Sequence, residues 1–313
     1  MKLKRYFWPT IGLAAVTFSI WILLDELRHI SLDDVQDSLA AIPVSGWGLS
    51  ILSALVAYIA LAGYDHIALI HLGKRISWLF VSLCSFTTYA LSHNIGGSVF
   101  SGAVIRYRAY ATKGLTGQEV GSLVAICWFT FVLSTLSVGA IVLFLAPDLP
   151  ERFSSLDFEK FSGASAMVFL APVIAYIFGS WLHLRPLRIG SFELHYPRLP
   201  IVARQLTIGP LEILAACAII YFALPQTGNP GYLVVLGVFL VSFSAAQISH
   251  APGGLGVLEV VFLAGLSDME VADVLAALLI FRLLYLIIPF ILSLGVVLLF
   301  ERAQLQQRDD ADI

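Results

Sequence analysis

The stretch Ser249-His-Ala-Pro-Gly-Gly-Leu-Gly-Val-Leu-Glu259 interrupts an otherwise apolar C-terminal third with a histidine, a proline, three glycines and a carboxylate. Pro252 removes a helical N–H, and Gly253, Gly254 and Gly256 favour turn conformations, so an unbroken helix is not expected here. In hydrocarbon such a backbone survives only where protein or a wet cavity surrounds it. Hydrocarbon is the relevant solvent, because 59% of the chain is hydrophobic and 12% charged, about half the charge of a soluble protein. The element also has a relative. Ser85-Phe86, Ser92-His93 and Gly96-Gly97 recur as Ser242-Phe243, Ser249-His250 and Gly253-Gly254, each 157 residues later. That offset is half the chain and reads as an internal duplication.

The expected fold is an all-α polytopic membrane protein. Apolar runs near the ~20 residues that cross a bilayer fall at about 8–24, 47–70, 119–146, 164–184, 203–224 and 273–300. Two more, about 78–104 and 232–265, each contain the Ser-His-x-x-Gly-Gly element, which makes eight hydrophobic segments. Met1-Lys-Leu-Lys-Arg5 resembles a signal n-region, but no small-residue cleavage site precedes Asp25, so an uncleaved first span is expected.

Charge orients the chain. With the N-terminus cytoplasmic, the inner side collects Lys74, Arg75, Arg106, Arg108, Lys113 and the arginines of 185–204, and the outer side only Arg28, Arg152 and Lys160. The outer loops are acidic instead, and the positive-inside rule then puts both termini in the cytoplasm. Both ends of 78–104 face inward and both ends of 232–265 face outward. If each interrupted run is a re-entrant hairpin, six full spans plus two hairpins form an inverted-topology repeat, 1–160 against 161–313, the plan common among secondary transporters. A pair of thin spans in each run would preserve the same parity. Residues 25–46, apolar at Leu32, Val35 and Leu39, suit a short amphipathic helix on the outer surface.

Several side chains stand out against this background. Gly96, Gly97, Pro252, Gly253, Gly254 and Gly256 mark the hairpin breaks, where half-helix N-termini offer partial positive charge to an anion; glycine for close helix packing is the alternative. His93 and His250 are equivalent positions in the repeat and suit a shared central cavity. Glu259 lies inside an apolar run, which makes it a candidate for function. It could meet a cationic headgroup, bind a coupling proton or pair with an arginine; the natural partners of Arg282, with Tyr285 three residues on and Pro289 beyond, are Glu259 or a lipid phosphate. Arg106, Arg108 and Tyr110 sit at the expected headgroup level, suited to phosphate or to plain anchoring. Asp65 and Glu212, placed near the inner ends of their spans, are expected to snorkel or pair at the surface. Cys84, Cys127 and Cys217 lie in apolar runs and read as buried hydrophobes. No metal spacing, cofactor fingerprint, hydrolase triad or nucleic-acid patch is present in the sequence.

At Gly96-Gly97-x4-Gly102-x3-Arg106-x-Arg108-x-Tyr110-x3-Gly114-Leu115, and at Pro252-Gly253-Gly254-x-Gly256-x2-Glu259 followed by Arg282-x2-Tyr285-x3-Pro289, the chain resembles a known family. It is similar to the transmembrane, lipid-flipping region of lysylphosphatidylglycerol synthases, the multiple-peptide-resistance factors, and to stand-alone YbhN-like membrane proteins. The resemblance implies a bacterial inner-membrane protein that moves a phospholipid, aminoacylated or otherwise modified, between leaflets. Members with a transferase carry a soluble domain after the membrane part. This sequence stops at Ile313, so synthase activity is not expected. Membrane lipids are the expected partners, with a separate lipid-modifying synthase or self-association as further options. Two alternatives stay open: an intramembrane enzyme acting on a lipid headgroup or polyprenyl phosphate, and a scaffold for a separate synthase.

Overall fold

The helices begin where the sequence supplies a stop to the preceding loop. The computed structural model describes residues 32–95, 98–153, 162–183, 187–189, 192–194, 196–249 and 251–311. Helix α1 (Leu32–Ala41) carries Asp33 and Asp34 in its first turn, where the helix dipole favours them. Pro43, in extended conformation, starts α2 (Val44–His71). Helices α3 (Trp78–Ile95) and α4 (Ser98–Ala111) follow. A capping box between Thr116 and Glu119 opens α5 (Gly117–Leu145). Next come α6 (Ser162–Trp181), a short antiparallel pair β1 (Leu187–Ile189) and β2 (Phe192–Leu194), and α7 (Leu199–Ala223) with a proline in its first turn. The last third holds α8 (Tyr232–Ser249), α9 (Val257–Gly265), α10 (Val271–Phe281), one turn of π-helix (Arg282–Ile287) and α11 (Ile288–Ala311).

Among the described residues, five helices are long and apolar enough to span a bilayer: α2, α5, α7, α8 and the continuous Val271–Phe300. The sequence suggested eight segments, and the difference has identifiable sources. The run 8–24 lies outside the described residues. The apolar part of α6 is the shorter Ser165–Trp181. Each interrupted run is two helices packed side by side, α3 with α4 and α8 with α9. Ser82, Ser85, Thr87, Thr88 and Ser92 lower the hydropathy of α3. The β-pair in the joint between the halves departs from the all-helical expectation, but it is only three residues a strand.

Helices α2 and α7 form the central pair and run antiparallel. Ser50 Oγ donates to the Ile219 carbonyl (2.9 Å) at one end, and Tyr64 OH reaches the Gly209 carbonyl (3.4 Å) towards the other. Small residues allow the approach: a Cβ on Gly63 would lie 2.8 Å from Ile208 Cγ2, and one on Gly209 would collide with Ser134 of α5. The main core gathers around this pair, with Ile219, Ile220, Phe239, Phe262 and Phe281 sealed inside. Leu52, Leu55 and Ile59 on the far side of α2 are exposed, as a lipid-facing surface requires. The amphipathic expectation for 25–46 is met over the described part, since α1 packs on α10 through Leu39 and leaves Asp33, Asp34 and Asp37 outside.

Candidate functional site: a buried polar cavity and two ion pairs

Side chains separated widely in sequence meet in three polar clusters. In the first, Asp65 of α2 is fully buried and faces Arg106 of α4. The guanidinium binds both carboxylate oxygens, with Nη2 2.7 Å from Oδ1 and Nε 3.1 Å from Oδ2. Tyr110, one turn beyond Arg106 on the same face, donates to Oδ2 at 2.9 Å, and Cys127 of α5 adds a contact at 3.5 Å. The Arg106 guanidinium also lies 4.8 Å from the Tyr89 ring centre, within cation–π range. Arg106, at 4% exposure, is therefore turned into the protein rather than presented at its surface. Tyr110 is likewise sealed, and only Arg108 faces outward.

The second cluster organises the break that dominates the sequence. Gly253, Gly254 and Gly256 have φ of 60°, 64° and 78°, the left-handed region open to glycine. Glu259, at the third position of α9, reaches back to accept from the Gly256 N–H (2.9 Å). That N–H is occupied by the chain's own carboxylate, rather than offered to an anion as the sequence suggested. The pairing of Glu259 with Arg282 holds: Nε lies 2.6 Å and Nη2 2.5 Å from Oε1. Arg282 Nη1 donates to the Gly253 carbonyl (2.9 Å), so one arginine braces both sides of the broken backbone.

The third cluster corrects the reading of Glu212. It sits in the middle of α7, is 4% exposed, and accepts a 2.6 Å hydrogen bond from Tyr285. Asp65 is equally far from any surface, so neither acid snorkels. Among the described residues, no basic side chain makes an ion pair with Glu212. Pro289 explains the adjacent geometry: lacking an N–H, it leaves the Tyr285 carbonyl without its helical donor, and Tyr58 OH supplies one at 2.9 Å. Asn94 donates to the next carbonyl, Leu286, at 3.2 Å. The His93 ring stacks on Tyr285 at 5.5 Å, and its Nδ1 has no partner.

Between the clusters lies a cavity of about 80 Å³, whose polar lining includes Tyr64, Tyr89, His93, Arg106, Glu212 and Gln247. This is room for a few waters, not for a lipid headgroup. It joins two sequence candidates, His93 and Arg106, to residues that sequence reasoning passed over. Tyr285 borders it through His93 and Glu212. Glu259 and Arg282 lie outside the lining, three residues along the π-turn from Tyr285, and Pro252–Gly254 packs against α3. His250, Gly96 and Gly97 fall outside the described residues. Among those described, no three His, Cys, Asp or Glu side chains converge as a metal site would need. The signal available for Glu212 was its central place in a long apolar run, two residues after Pro210.

Residues 10–293 match the family described as the lysylphosphatidylglycerol synthase TM region. An uncharacterised Synechocystis protein, slr0712, is 29% identical over 99% of this chain and 98% of its own. The inner membrane protein YbhN of Escherichia coli is 31% identical over 79% of this chain and 77% of its own. The phosphatidylglycerol lysyltransferase of Staphylococcus haemolyticus is 27% identical over 90% of this chain, which covers 33% of that longer protein. The match over nearly the whole length makes this membrane protein a member of the lysylphosphatidylglycerol synthase transmembrane-region family.

Proposed function

We propose that the chain is a bacterial inner-membrane lipid flippase, moving a phospholipid between leaflets without changing its covalent structure. The observation that carries this reading is the cavity, which gathers an arginine, a histidine and an acid from three helices inside lipid-embedded structure. Charged groups at such depth are costly unless they serve a path or a partner. The antiparallel α2–α7 pair and the packing of the second break against α3 support two inverted halves whose re-entrant hairpins meet at the bilayer centre. Parting α3–α4 from α8–α9 would widen this cavity towards one leaflet. Arg106 and Arg282 then exchange part of their carboxylate contacts for lipid phosphate, while Glu212, which no arginine among the described residues holds, meets a cationic headgroup or a proton. His93 and Tyr285 line the route between them.

The test is a leaflet-accessibility assay in proteoliposomes with fluorescent phosphatidylglycerol, read by quenching from outside. Wild type moves the probe, and Glu212→Gln and Glu259→Gln stop it while eluting as folded protein. Unchanged rates in both variants would remove these acids from the path. Mass spectrometry of the recovered lipids decides against an enzyme if masses are unchanged, and for one if they shift.

A further inference from the structure

A second concavity lies on the opposite flank of α3, away from the polar cavity. It is a groove of about 530 Å³ between α3, α4 and α11, walled by apolar side chains such as Phe80, Leu83, Leu91, Val104, Val297 and Phe300. Two polar groups interrupt that wall. Arg108, in the last turn of α4, lies at the mouth, on the face that also bears Lys74 and Lys113. Thr87 lies deeper on α3, is 5% exposed, and its hydroxyl has no hydrogen-bond partner. A hydroxyl inside an apolar helix ordinarily bonds back to the carbonyl four residues earlier. Ser92, Thr130, Ser134, Ser137 and Ser242 all do so here. Thr87 and Thr88 do not, and of the two it is Thr87 that lines the groove, as a buried donor.

From Phe80 to Leu91 the groove follows eleven residues of helix, about 16 Å at 1.5 Å per residue, close to the depth of one leaflet. We propose that this groove seats one anionic phospholipid from the leaflet on the Lys74 side, with an acyl chain along α3 and α11, the phosphate at Arg108 and an ester oxygen accepting from Thr87. Arginine at the mouth matches phosphate in charge and geometry, and the unpaired Thr87 hydroxyl in the groove below it matches the next polar atoms of a glycerolipid. The apolar run 8–24 of this chain carries no acidic side chain to meet Arg108. The seat does not depend on the transport reading, because a protein that moves no lipid can still hold one.

The full chain in nanodiscs of phosphatidylcholine with a minor fraction of photoactivatable phosphatidylglycerol, its diazirine on the acyl chain, tests this. After irradiation, labelled peptides are quantified against the exposed α2 surface at Leu52, Leu55 and Ile59. The α3 and α11 peptides should be enriched over that surface with the phosphatidylglycerol probe and not with a phosphatidylcholine probe. Arg108→Gln should lower the enrichment about fivefold, the effect of one basic residue near an anionic lipid, and Leu83→Trp, which fills the groove, should abolish it. Arg108 is exposed, so its variant keeps the experiment decisive if Leu83→Trp does not fold. Equal labelling by the two probes, or by Arg108→Gln and wild type, overturns the proposal. So does capture of residues 8–24 or of a second copy by a crosslinker placed at Leu91.

Discussion

The Asp65–Arg106 and Glu259–Arg282 pairs use the same two chemical groups and hold different things together. Asp65 receives only side chains, drawn from α4 and α5, and the pair's side chains are 0% and 5% exposed. Glu259 and Arg282 instead grip main-chain atoms, the Gly256 N–H and the Gly253 carbonyl, and their side chains are 10% and 11% exposed. The first pair ties packed helices to one another beside the polar cavity. The second braces a stretch of backbone that has no helical hydrogen bonds of its own. One kind of ion pair therefore sets helix orientation in one place and replaces secondary structure in the other.

The largest expected effect follows from removing one partner of the more buried pair. Arg106→Ala strands a buried carboxylate and should cost about 3–5 kcal/mol, read as a lowered unfolding midpoint in detergent. Because much of that loss is the stranded charge, the double variant Asp65→Asn/Arg106→Gln should be more stable than the single one. A single variant as stable as wild type would show that water reaches Asp65 and would erase the contrast. Arg282→Ala should cost less, about 2–3 kcal/mol for its charged hydrogen bonds, and should show it locally, as faster protease cleavage within 250–256. Equal destabilisation with no local cleavage would mean the second pair also acts as a tie between helices. Gly254→Ala tests the brace from the backbone side. With φ at 64° and a new Cβ 2.9 Å from that of Ala246, it should cost about 1–2 kcal/mol. Smallest is Glu212→Gln, below about 1 kcal/mol, because the amide oxygen still accepts from Tyr285; its consequence should appear in lipid movement alone.

Much of the architecture is visible along the chain, for reasons that are local. Run length and composition give the membrane class, since each span must be apolar whatever it touches. Pro252 and the three glycines give the second break, since their conformational limits travel with them. Glu259 and Arg282 could be paired on paper because each was the odd charge in its own run. The same reasoning failed for Arg106, Asp65 and Glu212. Arg106 shares a segment with Arg108, Lys113 and the positive-inside signal, and nothing local separates the arginine turned inward from the one turned out. Helices that are apolar all round carry no stripe to show which face is buried. Asp65 and Glu212 were therefore assigned to span ends, when the first is sealed among three helices and the second stands at mid-helix.

The sequence by itself determined that this chain lives in a bilayer, where its second helix break falls, and which family it resembles, because hydropathy, proline and glycine act on the residues that carry them. Only the tertiary structure decided that Asp65 meets Arg106 across 41 residues and that Glu212 meets Tyr285 across 73. Those meetings depend on the rotation and crossing of helices, which small residues such as Gly63 and Gly209 permit, and which no single segment encodes.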